Sequence, residues 1–207
     1  MSTSHESYFE SLYGGSDDPY ALRTRWYEAR KRAVLLAALP HRSYRYAYEP
    51  GCGNGELTAA LSGRCDDVLA SDSNERAVEL AAQRTRDLHN VRVEHHVLPE
   101  DWPTDTTRFD LIVLSELGYF LTEADMRKVA SRCRYALADD GVLVACNWRP
   151  GFKERTLETQ AVHDILSAIG WPRIVRHEEP DFLLEVWSRE GRSVAQREGL
   201  RQDLSIE

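Results

Sequence analysis

The sequence predicts an α/β protein: a doubly wound sheet in which five parallel strands are followed by a C-terminal hairpin. Three observations lead there. Strand-length apolar stretches alternate with amphipathic, helix-length ones up to about residue 150, the order that builds a parallel sheet with helices on both faces. Phe109 to Ser115 (FDLIVLS) is a continuous apolar run, the mark of a strand buried on both faces. A glycine turn, Gly51-Cys52-Gly53-Asn54-Gly55, closes the first strand and opens a helix.

The elements follow in order. Residues 1–18 are polar and are expected to form a flexible arm. From Tyr20 to Leu39, Leu22, Trp26, Ala29, Ala33 and Leu36 recur at helical spacing, and Pro40 stops the helix. Arg45 to Glu49 is the first strand, Glu56 to Gly63 the helix leaving the glycine turn, and Asp67 to Ser71 the second strand. Asn74 to Leu88 is a helix and Asn90 to Val97 the third strand. Phe109 to Ser115 is the fourth. Thr122 caps a helix up to Leu137, Asp139-Asp140-Gly141 is a turn, and Val142 to Asn147 is the fifth strand. Leu157 to Ile169 is a helix. Arg173 to Glu178 and Phe182 to Ser188 flank Glu179-Pro180-Asp181 as a strand pair with a tight turn. Residues 190–207 are a charged tail, which leaves 19–189 as one domain.

Composition narrows the setting. The chain has 207 residues, 42% of them hydrophobic, enough for one domain with a core. No apolar run approaches the roughly 18 residues of a membrane span, and Met1 to Tyr13 lacks a signal-peptide core. Cys52, Cys65, Cys133 and Cys146 show no C-x-x-C spacing and read as reduced, buried thiols. These features point to the cytoplasm. A net charge of −8 argues against nucleic acid as the main partner, because phosphate binding needs a basic face.

Glu49 leads into the glycine turn and Asp72 stands about twenty residues after it, the layout of a nucleoside cofactor site. The glycines allow close backbone approach, and Asp72 can accept both ribose hydroxyls. Glu56 occupies the place where a dinucleotide fingerprint needs its third glycine, and no Lys-Ser or Lys-Thr follows as in a P-loop. Two carboxylates beside the turn are poor company for a pyrophosphate. They suit S-adenosylmethionine, which has no phosphate and carries a sulfonium and an ammonium. Asp72-Ser73-Asn74-Glu75 also fits a capping box, so Asp72 has a structural alternative.

The segments Asp17-Asp18-Pro19-Tyr20, Trp26-Tyr27-Glu28, Glu49 to Gly55 and Phe109 to Leu121 resemble class I S-adenosylmethionine-dependent methyltransferases. Within that group the chain is most similar to the nodulation protein S (NodS-like) N-methyltransferases, over roughly residues 17–150. The resemblance implies a Rossmann-like sheet of seven strands with the last one antiparallel. It also implies N-methylation of an amine, since that family methylates the free amine of a chitooligosaccharide.

For the cofactor it points to Glu49, Gly51 and Gly53 along the methionine moiety and to Asp72, with Ser73, at the ribose. Leu98 and Glu100 stand near the adenine, with Trp102 close by, and Ser115 beside the transferred methyl. Tyr27 and Arg30 belong to the N-terminal helix, over residues 19–39, which this fold can use as a lid. Glu116, Tyr119 and His163 are the candidate proton acceptors. Asn147, at the end of the fifth strand, and Trp148 and Arg149 after it can face the acceptor. The seven histidines form no metal site; His95 and His96, adjacent on a strand, point to opposite faces. An oxygen acceptor calls for a stronger base or a metal, so the reading favours an amine such as an amino sugar. A small-molecule O-methyltransferase and a non-catalytic nucleoside-binding module are the alternatives.

Overall fold

The computed structural model describes residues 3–103 and 108–201. The last six residues of the expected tail and the first two of the expected arm lie outside them. The elements are α1 (Thr3–Gly15), α2 (Trp26–Ala38), β1 (Tyr44–Pro50), α3 (Glu56–Ser62), β2 (Cys65–Asp72), α4 (Glu75–Thr85), β3 (Val91–His95), β4 (Phe109–Ser115), a 3₁₀ turn (Gly118–Phe120), α5 (Glu123–Ala136), β5 (Leu137–Trp148), α6 (Thr159–Ser167), β6 (Arg173–Glu178), β7 (Phe182–Ser188) and α7 (Val194–Arg197).

The seven strands form one sheet in the order β3-β2-β1-β4-β5-β7-β6. β1 to β5 pair in parallel, and β7 lies antiparallel between β5 and β6. This is the sheet the sequence predicts. β4 shows why its apolar run is continuous. Leu111 and Val113 face a core shared with Leu35 of α2, Leu39 just after that helix, and Leu61 of α3. Ile112 and Leu114 face a second core with Met126 and Val129 of α5 and Val162 of α6. Each such side chain, fully buried, contributes about 1.5–3 kcal/mol, so both faces of β4 hold a helical layer against the sheet.

Four segments differ from the sequence-based expectation. The polar start folds as α1, because Phe9 and Tyr13, four residues apart, share one helical face and pack on Ala77 and Leu80. The helix expected from Tyr20 begins at Trp26; before it, Asp18 accepts the N–H groups of Leu22 and Arg23 at 2.7 and 3.2 Å and fixes a turn instead. The expected turn at Asp139–Gly141 is absorbed into β5, whose register against β4 shifts between Phe109↔Leu137 and Leu111↔Val142. Within the charged tail stands α7, whose N-cap Ser193 forms a capping box with Gln196.

Candidate active site

The strand order reverses between β1 and β4, and the carboxyl ends of the strands on either side of that point are where an open α/β sheet binds ligands. A cavity of about 560 Å³ lies there, a volume suited to a small molecule. Gly51, Cys52 and Gly53 enter it from the end of β1, Asp72 and Ser73 from β2, Ser115 and Glu116 from β4, and Cys146 and Trp148 from β5. α2 adds Tyr27, Glu28 and Lys31, and α1 adds Tyr8, Phe9 and Tyr13.

The glycine turn holds its shape through backbone torsions open to glycine. Gly53 has φ +55, and a Cβ there would meet the Tyr13 hydroxyl at 3.0 Å. Gly55 has φ +80, and a Cβ there would sit 2.8 Å from the Ala81 Cα, so this glycine lets α3 start hard against α4.

Asp72 accepts the Gly53 N–H through Oδ2 and the Asn74 N–H through Oδ1, both at 3.0 Å. The cap of α4 is Asn74, whose side chain accepts from the Ala77 N–H at 3.0 Å. The capping alternative therefore falls to Asn74, and Asp72 braces the glycine turn from the rim of the cavity. Burial raises the Asp72 carboxyl pKa against the opposing pull of the Asn74, Gly53 and Ser73 N–H donors. Glu49 is 2% exposed, and its Oε2 accepts the Thr58 hydroxyl at 2.7 Å. Burial pushes its pKa from 4.5 to about 8; Thr58 opposes this and the charge of Asp72 adds to it.

Glu116 follows β4 with a left-handed φ of +56, an uncommon conformation for a side chain with a Cβ. It turns its carboxylate into a nest of three donors: Lys31 Nζ at 2.7 Å, the Tyr119 hydroxyl at 2.5 Å and the Trp148 N–H at 2.9 Å. Trp148 is itself fixed through its carbonyl, which accepts from the Thr159 hydroxyl and from Arg155. The Arg155 guanidinium also lies 5.0 Å from the Phe152 ring and 5.9 Å from the Tyr119 ring, so it ties that aromatic wall together. Burial first, and then the Glu116 charge, raise the Tyr119 hydroxyl pKa well above its ordinary value, so it serves as a donor at neutral pH.

Of the residues the sequence singles out, Tyr27, Glu49, Gly51, Gly53, Asp72, Ser73, Ser115, Glu116, Tyr119 and Trp148 line this cavity. The others stand elsewhere. Arg30 makes two bonds to Glu179 in the β6–β7 turn, at 2.9 and 2.6 Å. Leu98 is buried in the core, and Glu100 is an exposed partner of Lys128 at 3.4 Å. Arg149 bonds Glu178 and the Glu179 carbonyl of the same turn. Asn147 and His163 are fully buried and bonded to each other, with His163 Nδ1 2.8 Å from Glu185 Oε2. The amphipathic α6 presses His163 onto the sheet, which takes it away from the cavity. Tyr8, Phe9, Tyr13, Glu28, Lys31 and Phe152 also stand in the cavity wall, although the sequence assigns none of them a site role. The i,i+4 pair Phe9/Tyr13 and the i,i+3 pair Glu28/Lys31 were the available signals.

A family model described as a methyltransferase domain matches residues 47–141. A solved protein from Pseudomonas syringae, named as a methyltransferase, is 49% identical, with a TM-score of 0.71 over 80% of this chain and 100% of that one. The chain belongs to the methyltransferase family. Nodulation protein S of Rhizobium tropici is 30% identical over 133 residues, which are 62% of this chain and 54% of that protein. The chain thus spans about half the length of that curated relative. The Bradyrhizobium japonicum N-methyltransferase NodS, solved with S-adenosylhomocysteine, shares the fold with a TM-score of 0.78 at 23% identity, over 88% of this chain and 97% of that one.

The family's cofactor is S-adenosylmethionine, and the residues present fit it. At Gly53 a φ of +55 favours glycine and a Cβ would touch the Tyr13 hydroxyl at 3.0 Å, and two carboxylates, Glu49 and Asp72, border this cradle without a phosphate-binding cation among the residues of the turn. Among the described residues, no helix is long and apolar enough to cross a membrane.

Proposed function

We propose that the chain transfers the methyl group of S-adenosylmethionine to a small-molecule amine, an amino sugar being the first candidate. The observation that carries the reading is the run of carboxylates along the cavity, Glu49 and Asp72 at the glycine turn and Glu28 and Glu116 beyond it. Carboxylates at the first pair suit the cofactor's ammonium and ribose, and at the second pair an ammonium acceptor. When bound, the cofactor supplies an electrophilic methyl on a sulfonium.

The protein's part is alignment, worth roughly 7–11 kcal/mol of barrier in well-oriented systems. Gly51 and Gly53 admit the cofactor to the backbone, Asp72 takes ribose hydroxyls, and Glu49 takes the ammonium. Ser73, Ser115 and Tyr27 complete the wall. Leu98, Glu100 and Arg30, held in the core, on Lys128 and on Glu179, drop out of this assignment. Glu116 and Tyr119 hold the acceptor end, with Trp148 as its aromatic wall. Aromatic rings and carboxylates together favour a cationic or sugar-like acceptor. The similarity to nodulation protein S, and the N-methyltransferase NodS by name, support an amine. Four buried free cysteines support a reducing compartment, the cytoplasm, and the acidic surface supports an acceptor other than nucleic acid or membrane.

The test is a methyl-transfer screen with labelled S-adenosylmethionine over amino sugars, other amines and phenols. Label in an amine supports the proposal. Label only in phenols shifts it to O-methylation, and binding of S-adenosylhomocysteine without transfer to any class shifts it to a nucleoside-binding module.

A further inference from the structure

Lys31 stands between two carboxylates. Its Nζ is 3.0 Å from Glu28 Oε2 and 2.7 Å from Glu116 Oε1, and the Tyr27 ring centroid lies 5.1 Å away. Two carboxylates and one ammonium leave a net negative charge where the three side chains are only 12%, 27% and 8% exposed, for Glu28, Glu116 and Lys31. Uncompensated charge is costly in such a place, so the cluster is complete only with a further cation.

The two carboxylates are unequally engaged. Glu116 commits both oxygens, to Lys31, Tyr119 and the Trp148 N–H. Glu28 engages Lys31 through Oε2, at 3.0 Å. The Tyr27 hydroxyl is buried and has no hydrogen-bond partner among the described residues. Tyr27, Glu28 and Lys31 all line the cavity with Ser115 and Glu116.

We infer that Glu28 takes the proton of the amine substrate, and that Lys31 is the positioning residue that holds Glu28 and Glu116 in place. This rests on the amine reading of the cavity. The acceptor enters as an ammonium, and Glu28 Oε1 takes one N–H proton while that bond's electron pair stays on nitrogen. The pair forms the new N–C bond to the methyl as the C–S bond breaks, its electrons going to sulfur. Glu28, now a carboxylic acid, returns the proton to water after product leaves.

The groups around Glu28 leave it that task. Burial works against the Lys31 charge, but Glu116 and Glu28 outweigh it and keep its pKa above the ordinary value. Burial raises Tyr27, Tyr119 and the Cys146 thiol, so all three stay protonated. Arg32 is bonded to the Leu22 carbonyl, Arg25 and Asp181 are exposed on the wall, and Glu179 is tied to Arg30 and His177.

The test uses the full chain with glucosamine and benzylamine as amine probes. Glu28→Gln should lower kcat at pH 7 at least tenfold, with the loss shrinking toward pH 9.5 as free amine forms unaided. Glucosamine binding to the protein loaded with S-adenosylhomocysteine should weaken at least fivefold, while affinity for S-adenosylhomocysteine itself stays within twofold of wild type. Glu28→Asp, which keeps the charge, should recover part of both. Lys31→Met should move the acid limb of the kcat profile to higher pH, which a purely structural role would not do. Glu28→Gln turnover within twofold of wild type overturns the inference. So does a loss that ignores pH in Glu28→Gln but follows pH in Glu116→Gln. If wild type methylates phenols and neither amine, the amine reading itself falls and takes this inference with it.

Discussion

Replacing Glu49 by Gln should make the protein more stable and worse at holding its cofactor. A carboxyl that titrates at about 8 when folded and at 4.5 in its ordinary state is a group the fold disfavours in ionised form. Below the lower value it is protonated in both states and costs nothing. As pH rises from 4.5 toward 8, the unfolded chain ionises while the folded one retains its proton, so stability falls with pH across that window and the penalty is full above it. At about 1.4 kcal/mol per pH unit, the window sets a ceiling of about 5 kcal/mol. Relaxation lowers this, and about 1–3 kcal/mol is expected, the range that mutational data give for burying polar groups. Gln keeps the shape, and its carbonyl can still accept the Thr58 hydroxyl. Urea unfolding of both proteins at pH 5 to 9 reads the effect: wild type should lose stability relative to Glu49→Gln up to about pH 8 and then run parallel to it. Calorimetry in buffers of different ionisation enthalpy should show proton release when S-adenosylhomocysteine binds wild type near pH 7, and weaker binding with no such release in the variant. Parallel stability curves throughout, or a Gln variant less stable than wild type at pH 8, would refute the argument.

Other outcomes follow from single residues. Asp72→Ala should weaken S-adenosylhomocysteine binding by about 1.5–3 kcal/mol, the scale of charge-assisted hydrogen bonds, in a calorimetric titration; unchanged affinity would leave Asp72 as a brace for Gly53 alone. Gly55→Ala should cost about 1–3 kcal/mol of unfolding free energy, because it combines a strained φ with a Cβ 2.8 Å from the Ala81 backbone; a melting temperature equal to wild type would contradict the close packing of α3 on α4. His163→Phe should lower stability by removing the buried bonds to Glu185 and Asn147, while the pH profile of turnover keeps its wild-type shape; a changed profile would return His163 to the chemistry. Arg30→Gln should leave the unfolding midpoint close to wild type, since its partner Glu179 and the guanidinium are both accessible to solvent, and should leave S-adenosylhomocysteine affinity within twofold; a tenfold loss of that affinity would mean that Arg30 moves to the cofactor on binding.

How far the sequence reached depends on the range of the interactions involved. It determined the sheet, the glycine turn and the carboxylates set beside that turn. Those features rest on local periodicity, on the torsional freedom of glycine and on strand ends that the fold always brings to one edge. Tertiary structure decided what became of the charged side chains. Arg30 is claimed by Glu179, 149 positions away, and Glu116 by Lys31, 85 positions away. His163 is claimed by Glu185 across a helix–sheet contact. A long flexible side chain finds whichever opposite charge the packed chain sets beside it, and its own neighbours in sequence carry little information about that partner. The same holds for α1. Its polar composition suggested an arm, yet Phe9 and Tyr13 find Ala77 and Leu80 to pack on, and Tyr13 closes over Gly53. A short helix of this kind gains its stability from tertiary burial more than from its own propensity.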